Sequence, residues 1–168
     1  MLPSRAHKSN QGFTLLETAT IVVVIGILAA ISAPSLLGWY NRTKVDSALN
    51  EVRGALQQAQ REAMRKSETC TVTFPASGTK NPTIESNCVI IGDGTLDDVT
   101  IRHNHIDNDG DGNPELSFDF RGETEMEDAG TIILSVPNNS INYQKCLVTS
   151  TGIGLMRTGD YDGATCET

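Results

Sequence analysis

Basic side chains are scarce in this sequence. Its 168 residues carry 13 Lys and Arg against 21 Asp and Glu, a formal net charge of −8. A surface of that sign repels phosphate backbones instead of attracting them. Metal–thiolate spacing is missing as well: Cys70, Cys88, Cys146 and Cys166 form no C-x-x-C pair, which argues against a zinc ribbon or a thioredoxin-type site. No Ser/His/Asp or Cys/His grouping stands out. Gly152-Ile-Gly154 lacks the following helix that a phosphate-cradling glycine loop requires. These absences remove the common catalytic designs, and the chain reads as a non-enzyme. Internal repeats and low-complexity tracts are absent too, so the length accommodates one domain plus an appendage.

What is present is a long run with almost no charge. From Phe13 to Ala33 the only ionisable side chain is Glu17. A helix of that length spans roughly 31 Å, the thickness of a bilayer's hydrocarbon core. A carboxylate at a helix centre costs about 2.5–3.5 kcal/mol on insertion scales; Glu17 lies nearer the end, which lowers the cost without removing it. A buried charge needs a partner. Cleavage after Gly12 would supply one, because the new ammonium of Phe13 lies four residues from Glu17, on the same chain or on a neighbouring copy. An ordinary secretory signal is the rival, with a basic start and an apolar run. Its best site, Ala30-Ile31-Ser32, is only a loose A-x-A, and a cut after Ala33 would leave Pro34 first.

Gly12, Phe13, Thr14, Leu15 and Glu17, with Gly26 and Pro34 beyond them, resemble the N-terminal signature of type IV pilins and type II secretion pseudopilins. Thr18-Ala19-Thr20 departs from it, where many members are apolar. The resemblance implies a leader at 1–12, cut by a prepilin peptidase that methylates Phe13, and a helix at 13–34 packed in a membrane and then in a filament core. Losing Arg5 and Lys8 with the leader leaves 11 basic against 21 acidic side chains. Basic residues flank both ends of the run, so the positive-inside rule alone does not orient it. All four cysteines follow the run, and an even count suggests disulfides in an oxidising, extracytoplasmic compartment. The expected place is the bacterial inner membrane, single-pass, and then a pilus or pseudopilus.

Pro34 removes an N–H from the ladder, so a kink is expected there, and Gly26 softens the same region. Val45, Leu49, Val52, Leu56, Ala59 and Ala63 then step by 4, 3, 4, 3, 4. That spacing predicts an amphipathic helix over 35–66, with Asn50, Arg53, Gln57, Gln60 and Arg61 on a solvated face. From Thr69 the pattern becomes strand-like: Cys70–Phe74, Val89–Ile91, Val99–Ile101, Leu116–Phe120, Thr131–Val136 and Cys146–Val148 lie between turn-forming clusters. The fold class is therefore α+β: a long N-terminal helix packed on a small, mostly antiparallel β domain at 67–168. Cys70 and Cys88 bracket a strand and a loop, and Cys146 and Cys166 would clamp the tail. The expected bridges are 70–88 and 146–166, although four cysteines allow three pairings. The loops at 76–87 and 104–114 are the longest without periodicity, and surface function is expected there.

Three further segments narrow the resemblance. Ala59–Met64, Phe118–Gly122 and Cys146–Gly154 are similar to GspH/FimT-type minor pilins, which are low-copy subunits often found near a filament tip. Some FimT-like pilins bind DNA through basic residues near the C-terminus; the matching stretch here offers Arg157 alone. Asp107, Asp109 and Asp111, followed by Gly112, sit at positions one, three, five and six of an EF-hand-like calcium loop. Phe118 stands where that pattern wants a bidentate Glu, with Glu115 and Asp119 nearby. His103 and His105 would share a strand face, as a metal pair or an exposed surface pair. The implied function is assembly: a minor pilin or pseudopilin whose partners are other subunits, prepilin peptidase and the inner-membrane assembly machinery. The alternatives are a membrane-tethered calcium-binding module and a DNA-uptake pilin.

Overall fold

The computed structural model describes residues 14–89, 94–104, 113–124, 130–137 and 143–168, without the side chains of residues 33 and 34. The chain divides into two compact units, Met1–Gly38 and Trp39–Thr168. One helix, α1 (Leu15–Lys66), contributes to both.

Thr14 starts α1. Its Oγ1 accepts the Glu17 amide at 3.3 Å and its carbonyl accepts the Glu17 and Thr18 amides at 3.1 Å, the N-cap arrangement of a Thr followed three residues later by Glu. The end of α1 is equally well defined. Ser67 takes a left-handed φ of 57°, and the Glu68 amide reaches back to the Ala63 carbonyl at 3.3 Å. This is a Schellman turn with Ser where Gly is usual. Arg65 and Lys66 in the last turn suit the negative end of the helix dipole. α1 continues without a break through Pro34.

In the second unit eight strands among the described residues form two antiparallel sheets. The smaller has the order β2 (Glu85–Ser86), β1 (Cys70–Thr73), β4 (Glu115–Phe118). The larger has the order β3 (Thr100–His103), β5 (Thr131–Ser135), β6 (Gln144–Thr149), β7 (Met156–Tyr161), β8 (Cys166–Glu167). Val45, Leu49, Val52, Leu56, Ala59 and Ala63 are all buried, with Ala48 and Ala55 beside them. The six stripe residues and Ala48 join Phe74, Ile101, Leu116, Phe118, Ile132, Leu134 and Leu147, each fully buried, in one core. The α+β class expected from the sequence is the class observed.

Differences lie where pairing, not composition, makes the strand. β7 carries Arg157, Gly159 and Asp160 and has little strand propensity, yet it pairs with β6 over five positions from Lys145↔Asp160 to Thr149↔Met156. A Cβ at Gly159 would collide with the carbonyl of Glu167 in β8, so only glycine fits. The stretch at 76–87 is not free loop: it contains β2, and Lys80 bridges Thr100 while Thr83 bridges Thr95. Val89 lies outside any strand. Ile90 and Ile91 lie outside the described residues. Cys70 pairs with Cys88 at a Cα separation of 5.5 Å, and Cys146 with Cys166 at 5.9 Å. Closing loops of this length contributes about 3 kcal/mol per bridge.

Candidate functional site

Two surfaces carry the chemistry that the sequence singles out. On the first unit, Leu15–Ser32 is an 18-residue apolar window with mean hydropathy 2.3 and no buried residue. It is long and apolar enough to cross a membrane. Its larger side chains run from 45% exposed at Ile21 to 86% at Leu15, a surface that water does not tolerate in one contiguous patch. The hydroxyls within it are satisfied internally: Thr18, Thr20 and Ser32 donate to the carbonyls of Leu15, Leu16 and Leu28 at 2.8, 2.7 and 2.9 Å. Thr18 and Thr20 thus remain compatible with an apolar medium, where unsatisfied donors are costly. The Glu17 carboxylate has no ion-pair partner among the described residues. A Cβ on Gly26 would meet nothing within 4 Å, so no contact among the described residues requires glycine there. Gly12 and Phe13 lie outside the described residues, as does the side chain of Pro34.

The second surface is the junction between the end of α1 and the sheets. Gln60 is half-buried, not solvated as its spacing suggests. Its side-chain amide donates to the carbonyl of Gly122 at 2.7 Å and of Ile153 at 3.2 Å, with that of Gly154 at 3.5 Å. Gly154, at φ 62°, leaves room for this: a Cβ there would stand 2.8 Å from both Gln60 Nε2 and the Gly122 carbonyl. The turn that presents Gly122 is shaped by Asp119. One carboxylate oxygen accepts the amides of Arg121 and Glu123 at 2.9 and 2.8 Å, and the other accepts Arg121 Nε at 3.1 Å. Partial burial opposes the charge of Asp119, but those amides and the guanidinium outweigh it and hold the carboxyl below the usual range. Thr124 and Gly152 exchange backbone bonds at 2.8 and 3.0 Å to close the corner. Ala59–Met64, Phe118–Gly122 and Cys146–Gly154, far apart in sequence, meet here.

A second tie holds the other end of the amphipathic stretch. The Tyr143 hydroxyl donates to Asp46 at 2.9 Å, and burial together with that carboxylate pushes the Tyr143 pKa up. Lys145, paired with Asp160 at 2.7 Å across β6 and β7, has its pKa raised by the same contact.

The metal candidates fare differently. His103 Nε2 donates to the Pro75 carbonyl at 2.9 Å, so that nitrogen is committed to backbone. His105, Asp107, Asp109 and Asp111 lie outside the described residues. Among the described residues no group of three or more His, Cys, Asp or Glu could hold a metal. Arg157 is exposed on β7. Gln60 and Asp119 are the residues that spacing alone misses. The signal for Asp119 was present, because an Asp three residues before Gly is a turn signature.

The sequence model of the family described as "Type II transport protein GspH" matches residues 48–152, more than half of the chain. The chain belongs to that family. The match takes in most of the Gln60 junction and stops before β7. A fimbrial protein of Pseudomonas aeruginosa is 44% identical over 57 residues, 34% of this chain and 36% of that protein. The type IV major pilin protein PilA of Myxococcus xanthus is 41% identical over 61 residues, 36% of this chain and 27% of PilA. The type II secretion system core protein G of Escherichia coli is 45% identical over 42 residues, 25% of this chain and 28% of that protein. The GspH-family chain thus spans 36% or less of the length of these relatives. A solved structure, the Pseudomonas aeruginosa type IV minor pilin FimU, has a TM-score of 0.47 at 15% identity over 77% of this chain and 96% of FimU.

Proposed function

We propose that this GspH-family protein is a minor pilin or pseudopilin, a structural subunit with no catalytic role. Prepilin peptidase would cut after Gly12 and methylate Phe13. The inner-membrane assembly machinery would then pack the helix against those of other subunits. The observation that carries this reading is the apolar window with no buried residue, whose single carboxylate has no ion-pair partner among the described residues. Packing identical or related helices covers the apolar surface, and the ammonium of Phe13 on a neighbour answers Glu17. Gly26, which no contact among the described residues requires, would admit a neighbouring helix closely. The two disulfides favour an extracytoplasmic second unit.

The test separates processing from assembly. Replacing Gly12 with Val should leave the leader uncut. Glu17→Ala should insert at least as well as wild type and still be cut, since the scissile bond is intact. It should fail to enter filaments, because breaking a buried pair by removing one partner costs about 3–5 kcal/mol. Purified filaments are probed for the subunit. Wild-type abundance of Glu17→Ala in them would show that Glu17 does not register assembly.

A further inference from the structure

An aromatic pair just past the apolar window has no part in the reading so far. Trp39 and Tyr40 are 66% and 52% exposed, while Phe74 and Phe118 in the same unit are fully buried. Tyr40 is held in place: the Lys44 ammonium lies 4.6 Å from its ring centre and pairs with Asp98. Arg42 follows, its guanidinium 5.4 Å from the Tyr143 ring centre. Two ring side chains and two cations therefore stand together at the first turn of the second unit.

Helix rise gives their depth. From Leu15 to Gly38, the end of the first unit, the helix advances about 35 Å, or about 32 Å along the bilayer normal at an ordinary tilt of roughly 20°, and Trp39 and Tyr40 follow directly in the chain. The hydrocarbon core is about 30 Å thick, and headgroups extend the bilayer to about 40–45 Å. With Leu15 at one edge of the hydrocarbon, Trp39 and Tyr40 fall in the opposite headgroup layer. That is where an apolar ring bearing one N–H or O–H is best accommodated. The exposed Arg42 can lay its alkyl stem against the same layer and reach its phosphates, while Lys44, paired with Asp98, steadies Tyr40.

We propose that Trp39 and Tyr40, flanked by Arg42, form a docking surface for phospholipid headgroups that sets the depth of α1 before the subunit joins a filament. The inference rests on the membrane-spanning reading of Leu15–Ser32, and the test distinguishes failure of one from failure of the other. Trp39 is the single tryptophan of the chain, so its fluorescence is unambiguous. The full chain is placed in vesicles of phosphatidylethanolamine and phosphatidylglycerol that carry a quencher either near the headgroup or near the acyl end. A companion protein, Trp39→Phe with Ile25→Trp, reports the centre of the apolar window.

Trp39 emission should shift to shorter wavelength and be lost mainly with the shallow quencher, while the companion is lost mainly with the deep one. Water-like, unquenched Trp39 beside a deeply quenched companion would overturn the docking surface and leave the spanning helix standing. Trp39 quenched best by the deep label would overturn the headgroup placement. A shifted but unquenched Trp39 would mean that another protein surface covers it, which also overturns the proposal. Loss of neither signal would overturn both readings.

Discussion

Gln60 offers the sharpest test of how the helix is fastened to the sheets. Its amide has two hydrogens and faces the carbonyls of Gly122, Ile153 and Gly154, so two good bonds can form at once. Each contributes about 0.5–1.5 kcal/mol net, which puts Gln60→Ala at about 1–3 kcal/mol of lost stability. At roughly 4 °C per kcal/mol for a unit of this size, the melting temperature should fall by about 4–12 °C. Gln60→Glu should be worse at neutral pH, because a carboxylate would face three carbonyl oxygens and could donate to none. It should regain stability as the pH falls, since the protonated acid can donate one bond again. The assay is thermal unfolding of the full chain in detergent, followed by near-ultraviolet circular dichroism, at neutral and acid pH. A Gln60→Ala protein that melts with wild type, or a Gln60→Glu protein indifferent to pH, would refute the fastening role.

Asp119 should contribute to stability in a defined window. Its folded-state pKa is depressed, so the contribution is complete above the ordinary carboxylate value and disappears as pH falls through the lower folded value. Asp119→Asn should therefore flatten the acid limb of a stability–pH curve, and an unchanged limb would count against the turn. Ser67→Gly should stabilise by about 1 kcal/mol, since a left-handed residue with a Cβ costs roughly 1–2 kcal/mol; chemical denaturation reads this directly. Calcium, the ligand expected of Asp107, Asp109 and Asp111, should raise the melting temperature if it binds only the folded state. Asp109→Ala should then abolish the rise, and identical melts in calcium and chelator would leave the loop a plain turn.

The core side of the amphipathic helix was legible because burial follows a 3.6-residue period, and all six positions of the stripe are buried. β1 and β6, which carry Cys70 and Cys146, showed as short β-rich runs. β7 and β8 did not, because neighbours impose their structure: β6 supplies the pairing, and the cramped approach of Glu167 makes glycine necessary at position 159. Gln60 illustrates a second limit. Helical spacing places it on the polar face, and only the loops at 122 and 153, distant in sequence, convert that polar position into a hydrogen-bonding one. Periodicity describes what a helix presents, and tertiary structure decides what meets it.

In the filament proposed for this protein, where a subunit would be pulled by its helix, the placement of the two disulfides would matter. Neither bridge joins α1 to a sheet: one closes 70 to 88 and the other 146 to 166. Tension along a filament would therefore pass from helix to sheet through non-covalent contacts, namely the buried stripe, the Tyr143–Asp46 bond and the Gln60 amide. The one covalent route is the short link at 67–69, and it enters the β unit at Cys70, where the bridge to Cys88 divides the force between two points of the chain. Under strain the stapled parts would keep their internal shape, and the seam between helix and sheet would be the first place to open.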